Sequence, residues 1–258
     1  MIHKNTIYIM QKHLLSLLIA LASIIPAFAA DGEPAQYKLN VQDFGELSIV
    51  DGVTVEYFCR ADSAGWAIFT CMPEMASHIM FTNDNNRLTI RTDSDEKAIV
   101  GVPKIKVYST ALRKASNSGD SILTVHLDGD IAVKDFKAQQ IGNGKTEIYA
   151  LNCENLEAGI TAGNGTIAID GKARKAKLNN VSSGPVDAKD LDVVNMSCFV
   201  FGSGNIECNP AETLRVYGAG TGKVIYHGTP KVTMRSIGVK AIPYSDGIAY
   251  TLYRKKGR

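Results

Sequence analysis

Three acidic residues recur at one position of a repeat in the second half of the chain: Glu147, Asp187 and Glu207. Carboxylates on neighbouring strands repel one another unless water, a cation or a basic side chain intervenes, and Ca²⁺ prefers such oxygen ligands. Lys189 and Lys223 stand close by in the sequence, so a solvated, charge-compensated row is favoured over a calcium site. We therefore predict no metal site and no cofactor.

A second set, Asp170, Lys189 and His227, shares another position of the same repeat. Cleavage of a polysaccharide needs two positioned carboxylates, or calcium with a basic residue, on one face. These three residues fall on different repeats, and the chain lacks both Gly-x-Ser-x-Gly and long inserted loops. We predict that the protein is not an enzyme, and a carbohydrate-active enzyme is retained only as the third alternative.

Three aromatic residues, Tyr149, Phe199 and Tyr217, fall at positions whose parity places them on the outside of the repeat. An exposed aromatic strip favours glycan binding, so these residues are the candidate ligand-binding site. The alternative is that a slipped strand register turns them inward, where they would fill the core.

Five cysteines are present, and the odd number leaves at least one unpaired. Cys59 and Cys71 flank what reads as a bent pair of strands, so they are the candidate disulfide, with two separate thiols as the alternative. Cys208 falls on the inward side of its strand and reads as a buried, unreactive thiol. The histidines and cysteines do not have zinc-type spacing.

The elements that must position these residues are repeats marked by small-residue turns. The turns read GNG, GNG, SSG, GSG and GTG, and the last glycine of each is Gly144, Gly165, Gly184, Gly204 and Gly222. The steps between these glycines are near 20 residues. Glycine is expected at such corners because they can require a positive φ, which a Cβ atom penalises.

Apolar and mostly polar residues alternate after each turn, as in a strand with one buried face. The residues two after the turn include Ile167, Val186, Ile206 and Val224. A second strand precedes each turn, with Leu178, Cys198 and Val216 in equivalent places, Ile160 before them and Val232 after. Units of this size cannot bury a core alone, so stacking is expected. We predict an all-β, single-stranded parallel β-helix-like solenoid, right-handed, with a β-rich N-terminal section; an antiparallel sheet is the alternative.

The N-terminus reads as an export signal. A basic start is followed by the apolar run LLSLLIALASII at 14–25 and by Ala27-Phe28-Ala29, so cleavage is predicted after Ala29. The apolar run is too short for a membrane span, and no later stretch would serve as one. We predict a secreted protein of the cell envelope of a Gram-negative bacterium, placed in the periplasm, on the outer surface or outside the cell.

Charge and composition exclude several classes of protein. The chain has 258 residues and 45% hydrophobic residues, so it is globular and not disordered. The 28 Lys and Arg face 26 Asp and Glu, and Lys4 and Lys12 lie in the predicted signal, which leaves a formally neutral mature chain. No nucleic-acid footprint is expected.

No linker divides the mature chain. Residues 47–57, 66–69, 87–92 and 104–109 read as strands of a less regular first half, and 73–78 reads as one helical turn. We predict a signal peptide over 1–29, an N-terminal segment over 30–39, one domain over 40–242 and a tail over 243–258.

The order of these elements resembles the family of exported bacterial proteins called putative autotransporter adhesin, head GIN domain. The resemblance includes the pattern from Phe44 through Val55, the strand Leu88-Thr89-Ile90, the five glycine turns, and Tyr226-His227-Gly228-Thr229-Pro230. It covers roughly residues 40–242 and departs from the family at SSG, 182–184. The resemblance implies a β-helix-like fold, a surface or periplasmic location and no catalytic residues.

Together these features predict a non-enzymatic surface or periplasmic recognition module, an adhesin that binds a glycan or a protein through a solenoid face. A structural or envelope-signalling periplasmic domain is the alternative. Exposed strand edges invite pairing with another chain, so a homodimer is also expected if an end of the solenoid is uncapped.

Overall fold

The computed structural model describes residues 33–50, 52–93 and 102–245. It is almost entirely β, with one 3₁₀ turn, Ala61–Ser63, and one short helix, α1, Pro73–Ala76, which begins at a proline. The strands in chain order are β1 Ala35–Asn40, β2 Glu46–Val50, β3 Val55–Cys59, β4 Trp66–Cys71, β5 Ile79–Asp84, β6 Arg87–Thr92, β7 Ile105–Ser109, β8 Lys114–Asn117, β9 Ile122–His126, β10 Val133–Ile141, β11 Lys145–Ala162, β12 Thr166–Asn180, β13 Val186–Val200, β14 Ile206–Ala219, β15 Lys223–Tyr226, β16 Lys231–Ile237 and β17 Lys240–Pro243.

From β8 onward the chain winds as a parallel solenoid. Each long strand pairs in parallel with its equivalent one coil away, and the pairing is interrupted at two bends per coil. In β11 the first bend is at Ala150, whose φ is 57°. The bends divide the coil into three faces: the first face (145–149, 166–170, 186–190, 206–208, 223–226), the short face (151–153, 171–173, 191–193, 209–210) and the third face (155–162, 175–180, 195–200, 213–219, 231–237).

The core is a set of inward rows along the solenoid axis. Ile167, Val186, Ile206 and Val224 are register partners on successive coils, and each is almost completely buried. Stacked coils lie about 4.8 Å apart, so these side chains form a continuous dry file. The predicted all-β solenoid with a β-rich N-terminal section is confirmed, with about six turns.

The turn glycines are required by close approach between coils rather than by their dihedral angles. A Cβ atom on Gly184 would lie 1.8 Å from the carbonyl oxygen of Gly165, and one on Gly204 would lie 2.2 Å from that of Gly184. None of the five predicted turn glycines has a positive φ; that conformation occurs instead at the first glycine of three turns, Gly142, Gly163 and Gly220. The expectation of a positive φ was therefore wrong for these five positions.

Buried amides stabilise the corners from inside. The side-chain nitrogen of Asn180 donates to the carbonyl oxygen of Gly184 at 2.8 Å, and its oxygen accepts from the backbone N–H of Ser182 at 3.1 Å. Two turns earlier, Thr146 donates to the side-chain oxygen of buried Gln140 at 2.7 Å. The buried side chains of Gln140, Thr146 and Asn180 thus each have a hydrogen-bond partner, as a buried corner requires.

The first half is β-rich as predicted, but its coils do not stack in chain order. The strand β2 lies between β6 and β8, and β3 lies between β7 and β9. The coil made by β6 and β7 is therefore outermost, although it comes second in the sequence. Antiparallel strands cover it: β5 pairs with β6, β4 with β7, and β1 with β4. This cap protects the edges that would otherwise be free to pair.

Only some of the predicted segment boundaries fall within the described residues. The signal peptide, 1–29, lies outside them, as does most of the tail. The strand β1, Ala35–Asn40, lies almost entirely in the predicted N-terminal segment 30–39 and pairs with β4 in the cap. The β-structure therefore begins before residue 40. The predicted division of the chain otherwise stays a prediction.

Candidate binding faces

The acidic row on the first face is compensated by basic partners. Asp187 and Glu207 are register partners on adjacent coils, as the sequence predicted. Lys189 lies 2.6 Å from the Asp187 carboxylate, and the ring nitrogen of His227 lies 2.9 Å from that of Glu207. The carboxylates therefore need no cation to offset their repulsion, and no cluster of metal-ligating side chains occurs within 33–50, 52–93 and 102–245.

The residues considered for catalysis are used separately. Asp170 accepts a hydrogen bond from the backbone N–H of Ala150 at 2.6 Å, whereas Lys189 pairs with Asp187 and His227 with Glu207. Each of the three side chains is thus engaged by a different partner.

The three candidate aromatic residues lie on two different faces. Phe199 and Tyr217 stack on adjacent coils of the third face, with ring centroids 5.0 Å apart. Tyr149, 38% exposed, lies on the first face at the end of a four-ring stack that also contains Tyr108, Phe58 and His126. The structure thus brings two of the three residues together and places the third elsewhere.

Stacking determines which part of each ring is accessible. The planes of Phe199 and Tyr217 are 16° apart, so each ring covers one face of the other. The Lys177 ammonium lies 5.2 Å from the Phe199 centroid, and Arg235 follows Tyr217 in register. The pair is flanked by cations along the solenoid axis, and both rings are half-buried. Half-buried rings of this kind suit contact with the side of an elongated ligand.

A groove with a volume of about 500 Å³ lies beside this aromatic pair on the third face. Amide, hydroxyl and cationic side chains line it together with the aromatic rings. These residues are Asn155, Leu156, Lys175, Ala176, Lys177, Asn195, Met196, Ser197, Phe199, Thr213, Arg215 and Tyr217. It is a shallow, extended recess that crosses several coils.

A second groove, about 820 Å³, follows the short face. Val133, Cys153, Ala173 and Val193 are in register along its floor. The charged groups of its rim are of both signs, and two of them, Arg174 and Glu154, form an ion pair at 2.7 Å. The charged residues that line the groove beside Phe199 and Tyr217 are all basic, so that groove offers a ligand a more one-sided charge.

An apolar ridge at the corner after the third face was not predicted. Val181, Phe201 and Ile237 are 50%, 51% and 80% exposed, and Ala219 lies between the last two. The sequence does contain a signal for this ridge: in every repeat, the residue three places before the last glycine of the turn is apolar. The residues at this place are Ile141, Ala162, Val181, Phe201 and Ala219.

The predicted disulfide between Cys59 and Cys71 is not formed; both are free thiols. Cys59 is in register with Ser109 of β7, and Ala67 of the antiparallel strand β4 is opposite Val107. The chain from Ala67 to Cys71 runs away from Ser109, so the two cysteines lie roughly 20 Å apart at 3.3 Å per residue. A disulfide needs Cα atoms within about 7 Å.

Buried thiols make the fold sensitive to alkali. Burial raises the pKa of Cys153 from 9.0 to about 12, and burial raises that of Cys71 as well. A hydrogen bond to the Cys208 thiol, together with burial, raises the pKa of Cys198 well above its usual value. These thiols stay protonated in the folded protein at pH values where the unfolded chain ionises.

We expect full thiol-linked stability below about pH 9 and a fall in the free energy of unfolding as the pH rises from there toward 12. The test is urea denaturation in reductant between pH 7.5 and 10.5. The Cys153→Ala variant should show a shallower decline than the parent protein. Val193→Ala, which removes apolar volume from the same floor, should keep the parent slope; equal slopes for both variants would contradict the expectation.

The fold and the surface together define the class of protein: it is a capped β-solenoid with long, shallow faces. No helix within the described residues is long and apolar enough to cross a membrane.

The sequence matches the family described as "Putative auto-transporter adhesin, head GIN domain" over residues 43–230. The chain belongs to this family. The sequence matches no protein of curated function.

Solved structures share the fold. A putative adhesin from Bacteroides fragilis is 20% identical, with a TM-score of 0.73 over 82% of this chain and 97% of that chain. A protein named a putative lipid binding protein, from Parabacteroides distasonis, is 19% identical, with a TM-score of 0.66 over 82% and 98%. A putative adhesin from Parabacteroides merdae is 18% identical, with a TM-score of 0.61 over 84% and 98%.

Proposed function

We propose that this protein is an exported recognition module without catalytic activity that binds a glycan or protein ligand through the third face. The observation that carries the proposal is the groove beside Phe199 and Tyr217, which is long, shallow and lined by aromatic, polar and basic side chains. A stiff ladder of this kind favours many weak contacts along an extended ligand rather than one deep pocket.

Export and an envelope location rest on the predicted signal peptide and on the family, whose members are named adhesins. The predicted absence of catalysis is supported by the separate engagement of Asp170, Lys189 and His227. A structural or envelope-signalling role is the alternative, and it would predict no ligand for the third face.

The predicted homodimer has a candidate surface at the last coil. The outer edges of β16 and β17 pair with no further strand of the described residues, and Met234 of that coil is 44% exposed. Unpaired edges of this kind can add a strand from a second copy.

The test is a binding screen of the chain from Ala30 against glycans and envelope or matrix proteins. Any ligand found is then titrated with the double variant Phe199→Ala/Tyr217→Ala. Because aromatic anchors carry a large share of interface energy, we expect an affinity loss of about tenfold or more. Both rings are only half-buried, so the fold should persist, and circular dichroism checks this.

Tyr149→Ala is the matched control, since it removes an aromatic ring from the first face. Equal affinity losses for the control and the double variant would place the site elsewhere. Hydrolysis or lyase products in the screen would overturn the non-enzymatic assignment.

A further inference from the structure

The third face carries a strong local excess of positive charge. Its last four coils, 175–180, 195–200, 213–219 and 231–237, contain five basic residues and no Asp or Glu. They are Lys175, Lys177, Arg215, Lys231 and Arg235, and all five are exposed. The whole chain, by contrast, has 28 basic and 26 acidic residues. The excess is therefore a property of this surface and not of the protein.

Most of these cations have no partner inside the molecule. Lys177 lies 3.3 Å from the Glu157 carboxylate, which Lys137 also contacts at 3.2 Å. No carboxylate among the described residues lies within ion-pair distance of Lys175, Arg215, Lys231 or Arg235. Like charges held on one face repel one another, and an anionic ligand would relieve that repulsion.

The register spaces the cations regularly along the axis. Lys177, Ser197 and Arg215 are register partners, so the two cations lie two coils apart, roughly 10 Å at the usual strand spacing. Lys175 and Lys231 lie three coils apart in the neighbouring row, roughly 14 Å on the same basis. A linear ligand with negative charges along its length could contact both rows.

Neutral hydrogen-bonding groups stand between the cations. Asn195 and Thr213 separate Lys175 from Lys231 in one row, and Ser197 separates Lys177 from Arg215 in the other. Thr213 donates to the Asn195 side-chain oxygen at 2.5 Å, and the Asn195 amide nitrogen has no partner within the described part of the chain. Alternating cations and amide or hydroxyl groups suit a polymer that carries both acidic groups and hydroxyls.

We propose that the third face binds an anionic polysaccharide, with carboxylate or sulfate groups, laid along the solenoid axis across the coils that carry Lys175, Lys177, Arg215, Lys231 and Arg235. This inference rests on the proposed function and specifies its ligand. An anionic lipid surface would use the exposed corner ridge but could not follow the recessed floor of the groove. The polysaccharide accounts for the recess and its polar lining.

The experiment compares four probes: dextran sulfate, polygalacturonate, unsubstituted dextran, and vesicles of equimolar phosphatidylcholine and phosphatidylglycerol. The chain from Ala30 should bind one or both acidic polymers, bind dextran far more weakly, and lose affinity as salt is raised. The triple variant Lys175→Gln/Lys177→Gln/Arg215→Gln should lose about tenfold to a hundredfold in affinity, with each lost contact contributing a few-fold.

The control is Lys106→Gln/Lys134→Gln/Lys172→Gln, which removes the same charge from exposed positions off the third face. Equal losses for both triple variants would mean nonspecific attraction and would overturn the inference. Binding to vesicles alone would overturn it in favour of a lipid surface, and failure to bind any probe would also overturn it. A ligand whose affinity falls with Phe199→Ala/Tyr217→Ala but not with the charge variant would leave the proposed function standing and refute only its anionic ligand.

Discussion

Gly184→Ala should destabilise the solenoid more than any other single methyl addition to its turns. The added Cβ would lie 1.8 Å from the carbonyl oxygen of Gly165 and 2.8 Å from that of Asn164, both backbone atoms of the previous coil. Rotation of a side chain cannot relieve these contacts, so the turn must move away from its neighbour. The displaced turn would also strain the Asn180 hydrogen bond to the Gly184 carbonyl.

We expect a loss of about 3 kcal/mol or more in the free energy of unfolding, at or above the upper end for overpacking substitutions. Total stabilities are about 5–15 kcal/mol, so this loss would remove a large fraction of the free energy that keeps the protein folded. Urea denaturation followed by far-UV circular dichroism measures this change.

Gly129→Ala is the matched control. A Cβ on Gly129 would meet its nearest atoms at 3.6 Å, an ordinary contact distance, and Gly129 does not have a positive φ. Its unfolding free energy should change by less than about 0.5 kcal/mol. A Gly184→Ala protein as stable as the Gly129→Ala protein would show that the coils do not approach as closely as described.

Ile206→Ala should be the most damaging truncation in the central inward file. Ile206 is fully buried, and its register partners on the two neighbouring coils, Val186 and Val224, are buried as well. Loss of a buried isoleucine side chain to alanine costs about 2–5 kcal/mol, because apolar transfer energy is lost and a cavity remains. Thermal unfolding monitored by calorimetry gives the shift in Tm.

Ile237→Ala provides the comparison, since it is the same substitution at a position that is 80% exposed. It should change the unfolding free energy by no more than about 0.5 kcal/mol. A similar cost for the two variants would be incompatible with a shared inward file through Ile206.

The repeating part of the fold was accessible from the sequence because its periodicity is local. Turn glycines near every twentieth residue and alternate apolar residues predicted the row of Leu178, Cys198 and Val216, which the register confirms. The two ends of this row were predicted wrongly: the row continues to Ala158 and Met234, not to Ile160 and Val232. At the C-terminal end the reason is that Gly238 packs over Gly220 and not over Gly222, the last glycine of that turn. Counting back from Gly238 therefore gave a residue two places too early.

The nonlocal features could not be read from spacing. The inverted order of β6, β2 and β8 depends on which coil edge the returning chain meets, and no residue pattern encodes that choice. The same inversion made Cys59 and Cys71 look close when they are far apart. Parity correctly placed Phe199 outward, but a one-dimensional pattern could not say that Tyr149 lies on another face.

The inverted coil order has a consequence for how the protein assembles. The coil of β2 and β3 reaches its final environment only after two later coils cover it, one on each side. During synthesis one edge of this coil can pair with β6 and β7 once residue 109 has appeared, but its other edge stays unpaired until about residue 126 has appeared. Long-range pairing of this kind is slow, because loop closure precedes any compensating contact. Once that nucleus exists, every subsequent coil has a finished template, and the remaining chain can add to it one turn at a time, as in other repeat proteins.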